Sequence, residues 1–107
     1  MACNNYSFTE IAKDDLDKIL NYIANDLCNQ IAAKDFYKNV KDKIDYVCNF
    51  PESCPLVENE FLKRRDIRKV VINNYIMYYS YSKEQSTIFV LRIIYGKREL
   101  NDILKQM

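Results

Sequence analysis

Ile67-Arg68-Lys69-Val70-Val71-Ile72-Asn73-Asn74-Tyr75-Ile76-Met77-Tyr78-Tyr79-Ser80-Tyr81, followed after a short polar turn by Thr87-Ile88-Phe89-Val90-Leu91-Arg92-Ile93-Ile94-Tyr95, is the stretch that decides the fold. From Ile67 to Ile72 every residue is β-branched or basic, which reads as a strand. Asn73-Asn74 tolerates the positive φ of a tight hairpin turn. The next run alternates, with Tyr75, Met77, Tyr79 and Tyr81 on one face and Ile76, Tyr78 and Ser80 on the other. Ser82-Lys83-Glu84-Gln85 turns the chain again. Thr87 to Tyr95 is then apolar on both faces apart from Arg92, which places it in the middle of a sheet. The result is a three-stranded meander.

Upstream the period changes. Ala12, Leu16, Ile19, Leu20, Ile23 and Leu27 recur at steps of three and four, the apolar face of an amphipathic helix. Thr9 suits its N-cap and Glu10 its positive end, although Ser7 with Glu10 also fits a capping box. A polar break at Cys28-Asn29-Gln30 precedes a second helix on Ala33, Phe36, Tyr37, Val40, Ile44 and Val47, stopped by Pro51. So short a break makes the pair an antiparallel hairpin. Residues 4–8 read as a first strand, 51–66 as a loop, and Leu100, Ile103, Leu104 and Met107 as one side of a short C-terminal helix. The order β-α-α-β-β-β predicts a single α+β domain, with the hairpin packed on one face of a mainly antiparallel sheet.

Composition excludes several chemistries. The 107 residues contain no histidine, which removes Ser-His-Asp and Cys-His mechanisms and weakens any case for zinc. A single glycine rules out phosphate-cradling loops and dinucleotide fingerprints, so a nucleotide-dependent enzyme is not expected. Cys3, Cys28, Cys48 and Cys54 form no CxxC pair and read as free thiols in a reducing compartment. The opening Met1-Ala2-Cys3-Asn4-Asn5 lacks a basic n-region and an apolar core, and no apolar run is long enough for a membrane span, so the expected location is cytoplasmic. Charge is divided. Residues 1–60 hold 6 Lys/Arg against 11 Asp/Glu, and residues 61–107 hold 10 against 4, beneath a total of only +1. A basic half of this kind attracts polyanions or an acidic partner.

With the order of elements in hand, several pieces resemble the RelE/ParE superfamily of type II toxin–antitoxin toxins. They are Thr9-Glu10-Ile11-Ala12 with Asp15-Leu16, Ile19-Leu20-Asn21-Tyr22-Ile23, Arg68-Lys69-Val70-Val71, Asn74-Tyr75-Ile76-Met77-Tyr78-Tyr79, and Arg92-Ile93-Ile94-Tyr95-Gly96-Lys97-Arg98-Glu99. The resemblance implies a small cytosolic toxin without cofactors, neutralised by a cognate antitoxin, and meeting operator DNA only through that antitoxin. RelE-like members cut messenger RNA on the ribosome; ParE-like members block DNA gyrase.

Metal-free RNA cleavage must deprotonate the 2′-hydroxyl, stabilise the phosphorane charge and protonate the leaving oxygen. In a RelE-like reading that work falls to Arg98, Lys69 and Tyr95. Two positions depart from the nuclease pattern, however: Ile76 follows Tyr75 where the family has arginine, and Leu104 stands where a tail tyrosine belongs. The resemblance therefore favours a ParE-like inhibitor with gyrase as leading target. A variant ribosome-dependent nuclease, or a degenerate member acting only in an antitoxin–DNA repressor complex, are the alternatives. Lys63, Arg64, Arg65, Arg68, Arg92 and Lys97 are the expected target- or antitoxin-binding residues, with an antitoxin segment covering the second sheet face at Phe89, Leu91 and Ile93 or their alternates.

Overall fold

The computed structural model describes residues 5–58 and 65–96. Strand β1 (Asn5–Phe8) leads into helix α1 (Glu10–Asn21), a π-helical turn (Tyr22–Asp26) and helix α2 (Gln30–Asn49). Strands β2 (Arg68–Ile72), β3 (Tyr75–Ser82) and β4 (Thr87–Tyr95) follow. The sheet order is β1-β4-β3-β2, antiparallel except for the parallel β1–β4 pair. The expected α+β architecture and the central position of β4 are both found. The expected C-terminal helix lies outside the described residues.

Local chemistry explains the boundaries. Thr9 caps α1, its Oγ1 accepting the Ala12 amide at 3.1 Å, and Asn29 Oδ1 caps α2 by accepting the Ala32 amide at 3.0 Å. Cys28 (φ 50°) breaks the hairpin between them, and Asn73 (φ 54°) turns β2 into β3. The main core lies between helices and sheet: Phe36, Val40, Ile44 and Val47 meet Ile72, Met77, Tyr79, Ile88, Val90 and Ile93. Each such side chain, fully buried, contributes about 1.5–3 kcal/mol.

Two helix positions depart from the periodic reading. Leu27 is 55% exposed rather than inward. Its amide bonds to Tyr22 O, five residues back, so the π turn inserts one residue and rotates Leu27 off the stripe. Tyr37 is also exposed, at the solvent edge of α2.

The second departure is a β-bulge. Tyr78 pairs with Arg92 but Tyr79 with Val90, leaving Leu91 as the extra residue of β4. Strict alternation would put Phe89, Leu91 and Ile93 on one face. Instead Leu91 joins a second, smaller cluster with Val57, Ile67, Tyr78 and Ile94, while Ile93 enters the main core. The second sheet face is thus already covered in part by Val57 and Ile67 of the chain's own loop, and Ile93 is not on it.

The start of α1 holds this bulge. β1 stops pairing after Phe8↔Val90, so the next polar groups of β4 have no strand beside them. Thr9 Oγ1 donates to Leu91 O at 3.0 Å. Asp15 accepts the Ile93 amide at 3.0 Å and two guanidinium nitrogens of Arg92 at 2.7 and 3.0 Å. Helix side chains thereby stand in for a missing strand and satisfy buried donors that would each cost about 1–3 kcal/mol unpaired.

Candidate functional site

The basic residues expected at an interface have different fates. Arg92 is 3% exposed and committed to Asp15, so it serves the fold. Arg68 lies on the helix side of the sheet edge, where Nη1 donates to Cys54 O at 2.6 Å and to Glu52 O at 3.4 Å. It fastens the loop after α2, aided by Lys69 N–Pro55 O, Val57 N–Ile67 O and the hydroxyl of fully buried Tyr79, which donates to Pro51 O at 3.1 Å. This loop also blocks the outer edge of β2, through a bridge between Leu56 and Arg68. Arg65 is exposed at the start of the turn before β2. Lys63, Arg64, Lys97 and Arg98 lie outside the described residues, as does Leu104.

Lys69 and Tyr95 are not brought together. Lys69 pairs with Tyr78, whose side chain belongs to the second face, whereas Tyr95 pairs with Tyr75 on the helix face. They are also two strands apart and offset by three residues, roughly 10 Å along the sheet. Ile76 likewise points to the second face, with Tyr78 and Ile94. Among the described residues no group of three His, Cys, Asp or Glu side chains is placed to hold a metal ion.

Tyr95 instead belongs to an aromatic groove at the tip of the molecule. The π turn, the start of α2, the β2–β3 turn and the end of β4 enclose a hollow of about 360 Å³ lined by Tyr22, Leu27, Phe36, Asn74, Tyr75 and Tyr95, among others. Tyr75 sits edge-on to Phe36 (5.1 Å between centroids) and to Tyr95 (5.6 Å). Burial pushes the Tyr75 phenol above its ordinary pKa, and the neighbouring Tyr22 and Tyr95 hydroxyls push it the same way. The Tyr75 phenol therefore stays a neutral donor at physiological pH. Tyr22, Leu27 and Tyr95 are each between 42% and 55% exposed, so the groove presents aromatic and apolar surface to solvent.

The lining is mainly apolar with a few hydroxyl and amide groups, a composition that can accept a ligand or partner. Gly96 N donates to Asn74 O at 2.9 Å, which ties the end of β4 to the groove's lining. An added Cβ on Gly96 would stand 3.2 Å from that same carbonyl, a close approach that favours glycine there. Sequence reading singled out Tyr95 as a site residue but read Tyr22, Asn73 and Asn74 only as parts of the fold. The available signal was Tyr22 itself, a large aromatic standing off the apolar series of its helix.

A family model described as the ParE toxin of the type II toxin–antitoxin system parDE matches residues 6–100. No curated protein sequence matches. Among solved structures, the chromosomal ParDE toxin–antitoxin system from P. aeruginosa is similar in fold. It aligns with a TM-score of 0.68 at 14% identity, covering 90% of this chain and 98% of that one.

Proposed function

The chain belongs to the ParE toxin family of type II toxin–antitoxin systems, and from that premise we propose that it inhibits growth by binding an essential target, DNA gyrase foremost, until a cognate antitoxin covers it. The observation that carries this reading is the separation of Lys69 from Tyr95 across the sheet. Cleavage needs its base, charge stabiliser and proton donor around a single phosphate, and residues on opposite faces cannot share one. Binding needs only an accessible anchor. The tyrosine groove supplies it, and Arg98 starts at most ~7 Å of chain beyond Gly96. The guanidinium adds a planar, permanently charged fork for a target carboxylate or phosphate.

The test compares purified protein in two assays, gyrase supercoiling and cleavage of ribosome-bound message. Inhibited supercoiling with intact message is the expected result. Message cut near the ribosomal A site with unaffected gyrase would return the chain to the nuclease class.

A further inference from the structure

The tip groove has a lining whose chemistry selects among occupants. Tyr22 and Tyr95 are 48% and 42% exposed, and Tyr95 meets Tyr75 at 72° rather than in a parallel stack, so flat ring surface is open to a ligand. Asn73 and Asn74, both exposed, add carboxamides, each a donor beside an acceptor. Asn73 Oδ1 already accepts from Asn39 Nδ2 at 3.2 Å, which leaves its own amide hydrogens as donors. Among the described residues that line the groove, none is charged. Its volume of about 360 Å³ falls in the range of small-ligand sites, about 300–1,000 Å³.

We propose that this groove receives an unpaired base of single-stranded DNA, stacked on Tyr22 and Tyr95 and hydrogen-bonded along its edge by the asparagines. A base is flat, neutral and edged with donors and acceptors, the complement of this lining. Its flanking phosphates are charged, and their complement follows in the chain. Lys97 and Arg98 come directly after Gly96, within ~7 Å of extended backbone, and residues 61–107 hold 10 Lys/Arg against 4 Asp/Glu. Charge decides against other occupants. A second copy would set the same basic tail against itself. An acidic peptide would bring carboxylates to a lining that has no cation among the described residues. A duplex keeps its bases stacked and offers only phosphates and base edges. The inference rests on the gyrase reading above for the identity of the strand, and adds a DNA contact to that inhibitor.

The test is fluorescence anisotropy of a short labelled oligothymidylate, with the same protein assayed for inhibition of gyrase supercoiling. The strand should bind at micromolar protein, and a duplex of the same length at least about 10-fold more weakly. Tyr22→Leu and Tyr95→Leu keep apolar bulk but remove the stacking face, and each should weaken strand binding about 5-fold or more. Tyr46→Leu, 47% exposed and outside the groove, should stay within about 2-fold. Thermal midpoints measured alongside confirm that each variant is folded. No binding of the strand, equal losses from groove and control variants, or equal binding of strand and duplex overturns the proposal. So does displacement by thymidine monophosphate at matched concentration, which would make the ligand a free nucleotide. Groove variants that lose gyrase inhibition yet bind the strand fully overturn it too, and assign the groove to a protein surface. Inhibited supercoiling without strand binding overturns this inference alone. Groove-dependent strand binding without gyrase inhibition overturns the gyrase reading and leaves the base site standing.

Discussion

Asp15 concentrates more of the long-range order than any other single side chain described. It accepts from Arg92 and from the Ile93 amide, across 77 and 78 positions of sequence. Asp15→Ala removes the ion pair and the acceptor of the Ile93 amide, and Arg92→Ala removes the ion pair while leaving the carboxylate its bond from that amide. Each should cost about 3–5 kcal/mol by chemical denaturation, and the double variant should cost less than their sum, because both single changes break the same ion pair. Strict additivity would mean that the two groups do not act as a pair. Tyr79 offers a second test at this scale. Burial, and next its contact with Cys54, raise its pKa well above the ordinary value. The folded state keeps the phenol neutral while the unfolded state ionises above pH ~10, so the unfolded chain binds fewer protons there and stability falls as pH rises. Tyr79→Phe should lose about 1–2 kcal/mol at neutral pH, from the orphaned Pro51 carbonyl. It should also show a fall above pH ~10 that is shallower by up to about 1.4 kcal/mol per pH unit. Part of the alkaline slope persists, since burial raises Tyr78 too. Denaturation curves between pH 8 and 11 decide it, and identical slopes would remove Tyr79 as the source.

Elements here are shaped by small irregularities rather than by their regular stretches. The π turn swings Leu27 outward and opens the tyrosine groove, and the bulge at Leu91 sets the face of every residue after it. The β2–β3 turn depends on Asn73, which holds φ 54° and receives a hydrogen bond from Asn39 Nδ2 at 3.2 Å. Asn73→Ala should therefore destabilise by about 1–2 kcal/mol, from the left-handed strain. Asn73→Gly adopts the same φ freely and should cost less, losing mainly an exposed hydrogen bond. Thermal midpoints of the two variants give the order, and Gly below Ala would show that the turn is not limited by φ.

At the scale of the whole molecule, function follows from which surfaces carry which charge. The tip groove is lined by Tyr95 and by Asn74, whose carbonyl accepts the Gly96 amide at 2.9 Å. Arg98→Ala should abolish or strongly weaken growth inhibition while moving stability by no more than about 0.5 kcal/mol, the usual effect of a surface substitution. Tyr95→Ala should act in the same direction. Colony survival on induction, read beside the melting temperature, separates the outcomes. Full toxicity at an unchanged midpoint makes Arg98 mere surface charge, and lost toxicity with a collapsed midpoint makes it structural.

The period of the apolar residues was enough to read the elements as far as β4, their order and the central place of β4, because those depend on local geometry repeated every two or 3.6 residues, and Thr9 was legible as the cap of α1 from its side chain. The alternation of Tyr75, Met77, Tyr79 and Tyr81 is found as read, with all four on the main core. Only the tertiary structure decided the roles of Arg68 and Arg92. A basic residue in a strand looks the same whether it faces a partner or a buried acceptor, and those acceptors lie 14 and 77 positions away. The same holds for Ile93, Leu27 and Tyr95. One extra residue in a strand or a helical turn reverses or rotates everything after it, and such an insertion leaves no periodic trace of its own. It is stabilised by distant groups, here Thr9 and Asp15 at the head of α1, so the face each residue presents was settled by packing across the chain.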